Sequence, residues 1–266
     1  SEAVEEESDQ RIDQLISWWQ SVSSEALAEF VTTESEIYQK GEFVIYDPGP
    51  FGITVLTDTT ERSPTFALAP FENSDKPDDT PSLCYLHLSG SSDPARAWEG
   101  LLHRAPRTLE WGELKHLTGK RAIHGFDFSD RVFALRAERT QNAVQHRFHI
   151  EETPDAIRWR LGSLEAEFPC ADLDRFGRHL ALKMLLNTQS TLVMGRLGRY
   201  EDNIMTYVSP NNNKLIDRAV RYAQWLLKRR HSLEPSYEEL VRALFDERAG
   251  LKPGESAVLK LVDRFT

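Results

Sequence analysis

Asn187, Ser190 and Thr191 lie close together on a segment whose apolar residues recur at helical spacing. Intervals of three and four put the three side chains on one helix face. Their amide and hydroxyl groups could serve a polar ligand or a neighbouring backbone; buried polar groups need partners, and helix-to-loop hydrogen bonding explains them equally well. Other chemistry-bearing residues point to structure first. His146 and His149 alternate along a strand and face opposite ways, so no shared metal is expected. Cys84 has no evident activating partner and reads as a small core residue. Lys228-Arg229-Arg230-His231 closes a helix, where cations complement the negative end of the dipole. Trp18 and Trp19 fit helix packing. There is no Gly-x-Gly-x-x-Gly, P-loop, nucleophile elbow or His-Glu-x-x-His. Neither a metal nor a cofactor is expected.

The elements that must position these residues follow from periodicity. Ile12, Leu15, Ile16, Trp19 and Val22 recur as on a helix, after an acidic stretch, residues 1–9, expected to be a flexible leader. A second helix carries Leu27, Phe30, Val31 and Ile37 and stops at Gly41. Residues 42–46 form a short apolar strand. It ends in Asp47-Pro48-Gly49-Pro50-Phe51-Gly52 and leads into Ile53-Thr54-Val55-Leu56, the first βα step of an α/β domain. Strands are expected over 82–88 and 121–128, with helices over 94–102 and 131–140. Residues 146–152 and 156–168 read as an antiparallel pair attached to the parallel sheet. Long helices over 173–197 and 214–230, then two short ones over 237–245 and 256–265, complete the chain.

Composition bounds the function classes. The 266 residues suit one large domain or two small ones, and 40% hydrophobic with 28% charged residues fits a globular core. A formal net charge of −10 argues against nucleic acid and against an anionic membrane surface as partners. No apolar run approaches the roughly 20 residues of a spanning helix, and no basic-then-apolar leader opens the sequence. Cys84 and Cys170 are too few for a disulfide framework, so a cytoplasmic location is expected. The sequence starts at Ser1 and not at Met, which fits a chain cut from something longer.

Two segments carry a further signal. One is Asp58-Thr59-Thr60-Glu61-Arg62-Ser63-Pro64-Thr65-Phe66. The other runs from Leu186-Asn187 through Ser190-Thr191 and Arg196-Leu197-Gly198-Arg199 to Asn203-Ile204-Met205 and Asn212-Asn213-Lys214-Leu215. Together they resemble the N-acetylmuramic acid 6-phosphate etherases and the glucokinase regulatory protein, both built on the sugar isomerase (SIS) domain. The resemblance covers about residues 25–230 and is weak over 105–170. It implies a three-layer α/β/α sandwich around a mainly parallel sheet, with helical N- and C-terminal extensions. The expected SIS-like domain spans 10–230 and the C-terminal helical extension 231–266. A phosphosugar would bind at the carboxyl edge of the strands, and the chain would pair as a homodimer or with a sister SIS domain.

Residue by residue, the resemblance places Gly49 and Gly52 on two glycines of the family's phosphate loop. Pro50-Phe51 replaces the family's Thr-Ser and Ile53 its arginine. Proline has no amide to donate and phenylalanine no hydroxyl, so this loop is a poor phosphate cradle. Ser129 and Arg131 are the counterpart of a second, serine-rich loop, and Arg62 is a further local donor. Glu61 matches one working glutamate, and Glu99, after one gap, falls near the other. In an active etherase such a pair divides proton removal from protonation of the departing ether oxygen. Both also fit as ordinary helix-surface glutamates. The expectation is a sugar-phosphate-binding or regulatory SIS domain with weakened catalysis. A working etherase using Glu61 and Glu99 is the alternative, and a purely structural partner domain a third possibility.

Overall fold

A computed structural model describes residues 2–76, 78–252 and 254–266, the side chains of 2–7 excepted. The chain divides into two units: Ser1–Asp58 with Phe71–Thr191, and Thr59–Pro70 with Leu192–Thr266.

Helix α1 spans Glu2–Ser21 and α2 spans Ser24–Gln39. Residues 2–9, expected as a flexible acidic leader, belong to α1. Ser1 lies outside the described residues. The Trp18 indole N–H donates to the Pro169 carbonyl at 2.7 Å. Ser23 caps α2 by accepting from the Ala26 N–H, and Gly41, at φ +76°, follows the helix end. The buried face of α2 carries Leu27, Phe30, Val31, Glu34 and Tyr38 at helical spacing.

Strand β1 (Phe43–Asp47) is followed by α3 (Gly52–Phe66), β2 (Cys84–Leu86) and α4 (Pro94–Leu102). Short helices α5 (Lys115–Thr118) and α6 (Lys120–His124) precede α7 (Val132–Arg139). Then come β3 (Gln145–Glu152), β4 (Ala156–Leu161), β5 (Leu164–Pro169) and α8 (Arg175–Arg196). The five strands form one sheet in the order β2-β1-β3-β4-β5. β1 pairs in parallel with β2 and β3, whereas β3–β4 and β4–β5 are antiparallel.

The α/β class expected from the sequence holds. On one face of the sheet, Phe148 and Trp159 meet Phe30 of α2, whose ring stacks on Phe148 at 5.3 Å, and Tyr46 stacks on Phe148 at 4.8 Å. On the other face, the Arg136 guanidinium of α7 lies over Phe43 at 5.3 Å and Tyr85 at 5.1 Å. Helices thus cover both faces of β1, whose three central residues are all buried. The outward side of β4 and β5 is instead a solvated ladder, Arg158 pairing with Glu165 and Glu167.

Two details differ from the sequence reading. Residues 156–168 turn at Gly162, φ +62°, into two strands and not one. The strand expected over 121–128 is α6 followed by a turn and a short segment outside the sheet, whose carbonyls at Gly125 and Phe128 accept from the Ser74 and Leu88 N–H groups, both at 2.7 Å. Trp98 takes the carbonyls of Ile123 and Phe126 through its indole N–H, at 3.0 and 3.1 Å.

The second unit is helical. α9 (Asn213–His231), α10 (Tyr237–Arg248) and α11 (Ala257–Phe265) share a core that includes Leu226, Leu227, Leu240, Leu244, Val258 and Leu261. Each start is capped, by Asn212, by Ser236 in a capping box with Glu239, and by Ser256. α9 thus shares its core with α10 and α11.

Candidate functional site

The turn after β1 decides whether a phosphate cradle exists. Gly49 has φ +51°, and a Cβ built there would stand 2.7 Å from the Ile150 carbonyl oxygen of β3. A Cβ on Gly52 would stand 3.3 Å from the Leu101 side chain of α4. Both glycines therefore serve close approach of the chain to itself. Phe51 is 1% exposed and presents its ring edge-on to His179 at 5.0 Å. Its N–H donates to the Pro48 carbonyl at 3.0 Å. Thr54, at the start of α3, shares a 2.7 Å hydrogen bond with His179 Nδ1. The Phe51 ring is packed in the interior, and its amide is spent inside the turn.

The second expected loop is also occupied. Ser129 is fully buried, and both its N–H and its hydroxyl donate to Asp127 Oδ1, at 3.0 and 2.5 Å. Its hydroxyl oxygen accepts weakly from the Arg131 N–H at 3.4 Å. Ser129 thus builds the turn that starts α7. Arg131 extends into solvent, its Nε 3.8 Å from Asp127 Oδ2.

The remaining expected residues belong to both units. Glu99 is exposed on α4 in the first unit; Glu61, also exposed, lies on the part of α3 that belongs to the second unit. Arg62, in that second unit, is buried. Asn187 is exposed, Thr191 half-buried and Ser190 buried, its hydroxyl donating back to the Asn187 carbonyl at 3.3 Å. α8 also buries Gln189 fully, and its amide donates to Glu34 of α2. Tyr46 and Tyr38 also give their hydroxyls to that carboxylate.

The sheet brings together a different group. Asp47 ends β1 and pairs in register with His149 of β3, His87 follows β2, and Asp130 opens the turn before α7. All stand at the carboxyl edge of the parallel strands, where open α/β sheets bind ligands. His87 is 4% exposed and donates through Nε2 to Asp130 Oδ1 at 2.9 Å. Its Nδ1 lies 3.7 Å from Asp47 Oδ2 and 3.5 Å from the Ser89 hydroxyl, which itself donates to Asp47 Oδ2. His149 Nδ1 approaches the same oxygen at 3.6 Å.

Electrostatics follow from these contacts. The His87 hydrogen bond, helped by the Gly90 N–H, holds the Asp130 carboxyl below the usual range, so it is ionised at neutral pH. Burial pushes the His149 imidazole below its usual value against the pull of Asp47, which favours its neutral form. Among the described residues, no group of three or more His, Cys, Asp or Glu side chains is arranged to hold a metal ion. No helix among them is long and apolar enough to cross a membrane. Sequence reasoning missed this cluster because its members come from four separate segments. The usable signal was the chemistry of the residues that end each expected strand.

No protein-family model matches the chain. It is 29% identical over 216 residues to the N-acetylmuramic acid 6-phosphate etherase of Porphyromonas gingivalis, an alignment covering 74% of this chain and 70% of the relative. To the N-acetylmuramic acid 6-phosphate etherase of Lactobacillus gasseri it is 26% identical over 227 residues, covering 80% and 71%. Over most of its length the chain is thus similar to proteins named as N-acetylmuramic acid 6-phosphate etherases.

Proposed function

We propose that the chain is a sugar-phosphate-binding or regulatory domain of the SIS type in which etherase turnover is lost. The observation that carries this reading is the turn after β1, where Phe51 is buried and a Cβ on Gly49 or Gly52 would crowd β3 or α4. A substrate without a phosphate anchor loses the remote binding energy that holds its reacting carbon against a carboxylate, and misplacement by about 1 Å costs on the order of a hundredfold. The net charge of −10 opposes a dianionic ligand further, so attraction has to come from local donors such as Arg131. The similarity to named etherases supports the ligand class. The domain works in the cytoplasm and pairs with a second copy or a sister domain; light scattering at the mass of one chain at every concentration would contradict the homodimer.

Thermal shift with a panel of sugar phosphates tests ligand binding, since a ligand that binds the native state raises its melting temperature. In parallel, incubation with N-acetylmuramic acid 6-phosphate is expected to release no lactate. The alternative, a working etherase using Glu61 and Glu99, gains its support from the names of the relatives. Lactate release that Glu61→Gln abolishes would establish it and overturn the reading of a domain without turnover.

A further inference from the structure

We propose that Asp47 and Asp130, held in place by His87 and Ser89, form a subsite that accepts hydrogen bonds from two sugar hydroxyls at the carboxyl edge of the sheet. This rests on the proposed sugar-phosphate function and adds which part of the ligand faces which residues. Each carboxylate is divided in the same way. Asp47 uses Oδ2 for the Ser89 hydroxyl, with both imidazoles turned toward it. Asp130 uses Oδ1 for His87 Nε2 at 2.9 Å and for the Gly90 N–H at 3.1 Å. Among the described residues nothing donates to Asp47 Oδ1 or Asp130 Oδ2. The two side chains are 14% and 52% exposed, so these oxygens can be reached from solvent.

A carboxylate with one oxygen tied and the other open is an acceptor whose orientation is already set. Binding through it therefore costs little side-chain ordering. Hydroxyls, which donate, suit such oxygens, and a charged acceptor makes the stronger kind of hydrogen bond. A phosphate, which only accepts when ionised, does not suit them and would meet two negative charges. The phosphate end of the ligand must therefore lie toward the cations beside the cluster. Arg147 qualifies: its guanidinium stacks on Phe133 at 4.0 Å, and the same ring meets His87 edge-on at 4.8 Å. Arg131, largely exposed, is the next residue after Asp130.

The sign of one substitution separates this role from a passive one. Removing a negative charge by Asp47→Asn or Asp130→Asn must tighten binding of a dianion if the carboxylates merely repel it. If they receive hydroxyls, the same change weakens binding, by about tenfold for each charge-assisted bond lost. The full chain and both variants would be titrated calorimetrically with glucose 6-phosphate, fructose 6-phosphate, N-acetylglucosamine 6-phosphate and inorganic phosphate. The expected result is about tenfold weaker binding of at least one sugar phosphate by each variant, with no weakening of inorganic phosphate. Unchanged or tighter sugar-phosphate binding in the variants overturns the subsite and leaves the sugar-phosphate reading standing. Equal weakening of inorganic phosphate overturns it as well. No binding of any sugar phosphate by the unsubstituted chain overturns both. Asp130 is half-exposed on a turn, so D130N decides the matter if D47N fails to fold.

Discussion

Phe51→Ala is the sharpest probe of the closed turn after β1. The ring is 1% exposed, and truncating a buried phenylalanine costs about 3–5 kcal/mol, depending on how far the surroundings collapse. Collapse is restricted here. A Cβ on Gly49 would stand 2.7 Å from the Ile150 carbonyl oxygen and one on Gly52 3.3 Å from the Leu101 side chain, so the turn has little room to move toward β3 or α4. The edge-on contact with His179 is lost too, a contribution of about 0.5–1.5 kcal/mol contained in the same total. The upper half of the range is therefore expected. At about 2–4 °C per kcal/mol for a body of this size, the melting temperature should fall by about 8–20 °C. Urea unfolding followed by circular dichroism measures the loss directly, and an unchanged slope would assign it to the native state. A loss below about 1 kcal/mol would refute the reasoning, because a ring that fills nothing leaves the cradle open. A phosphate arm sharpens the test. Millimolar inorganic phosphate should raise the melting temperature of F51A no more than that of the unsubstituted chain, since Pro50 brings no N–H and the Phe51 N–H is spent on Pro48.

Gly49→Ala and Gly41→Ala both place a Cβ at positive φ, but only the first meets an atom, the Ile150 carbonyl. G41A should cost about 1–2 kcal/mol and G49A distinctly more, as read by chemical denaturation; equal losses would show that β3 yields to the turn. Glu72→Gln leaves the buried Arg136 guanidinium without its carboxylate and should cost about 3–5 kcal/mol, with stability near that of the unsubstituted chain as the contrary result. His149 and His179 both have folded pKa values below their usual range because burial disfavours the charged form. The unfolded chain therefore takes up their protons first as pH falls below about 6.5, and stability drops from there toward the folded pKa values. Melting temperatures across pH 5–8 should show this slope, and H149Q should flatten it; an unchanged slope would remove His149 as a source.

What the sequence revealed and what it hid have a common physical origin. Local signals were readable: the apolar run and turn at residues 43–52, the stop at Gly41, the long periodic stretches of α8 and α9. Features assembled from distant segments were not. The boundary at 191/192 depends on α9, α10 and α11 sharing one core, which no local period encodes. The Asp47, His87, Asp130 and His149 cluster exists only once three parallel strands bring their carboxyl ends together. Residues 121–128 looked like a strand by composition, but Trp98 draws the carbonyls of Ile123 and Phe126 away from any ladder.

The same distinction governs how much the resemblance to the etherases can say about activity. Its most specific residues in and just after α8 have structural work to do. Gly195 lies under the ring of Tyr200, where a Cβ would collide, and Gly198, at φ +72°, ends the helix with the Arg199 N–H returning to the Met194 carbonyl at 2.9 Å. Arg199 then spans to the Gly254 carbonyl at 3.0 Å and stacks on Tyr207. A chain that had lost every ligand would still need these residues to end α8 and seat the segment around Tyr207. Their presence therefore argues for a shared fold and is silent on chemistry. Ser89 and Asp130, beside the strand ends, lie under no such constraint: both are exposed, and neither packs a core. There the chain carries paired carboxylates beside a turn sealed by Phe51, so the carboxyl edge, not the signature helix, is where its function has to be tested.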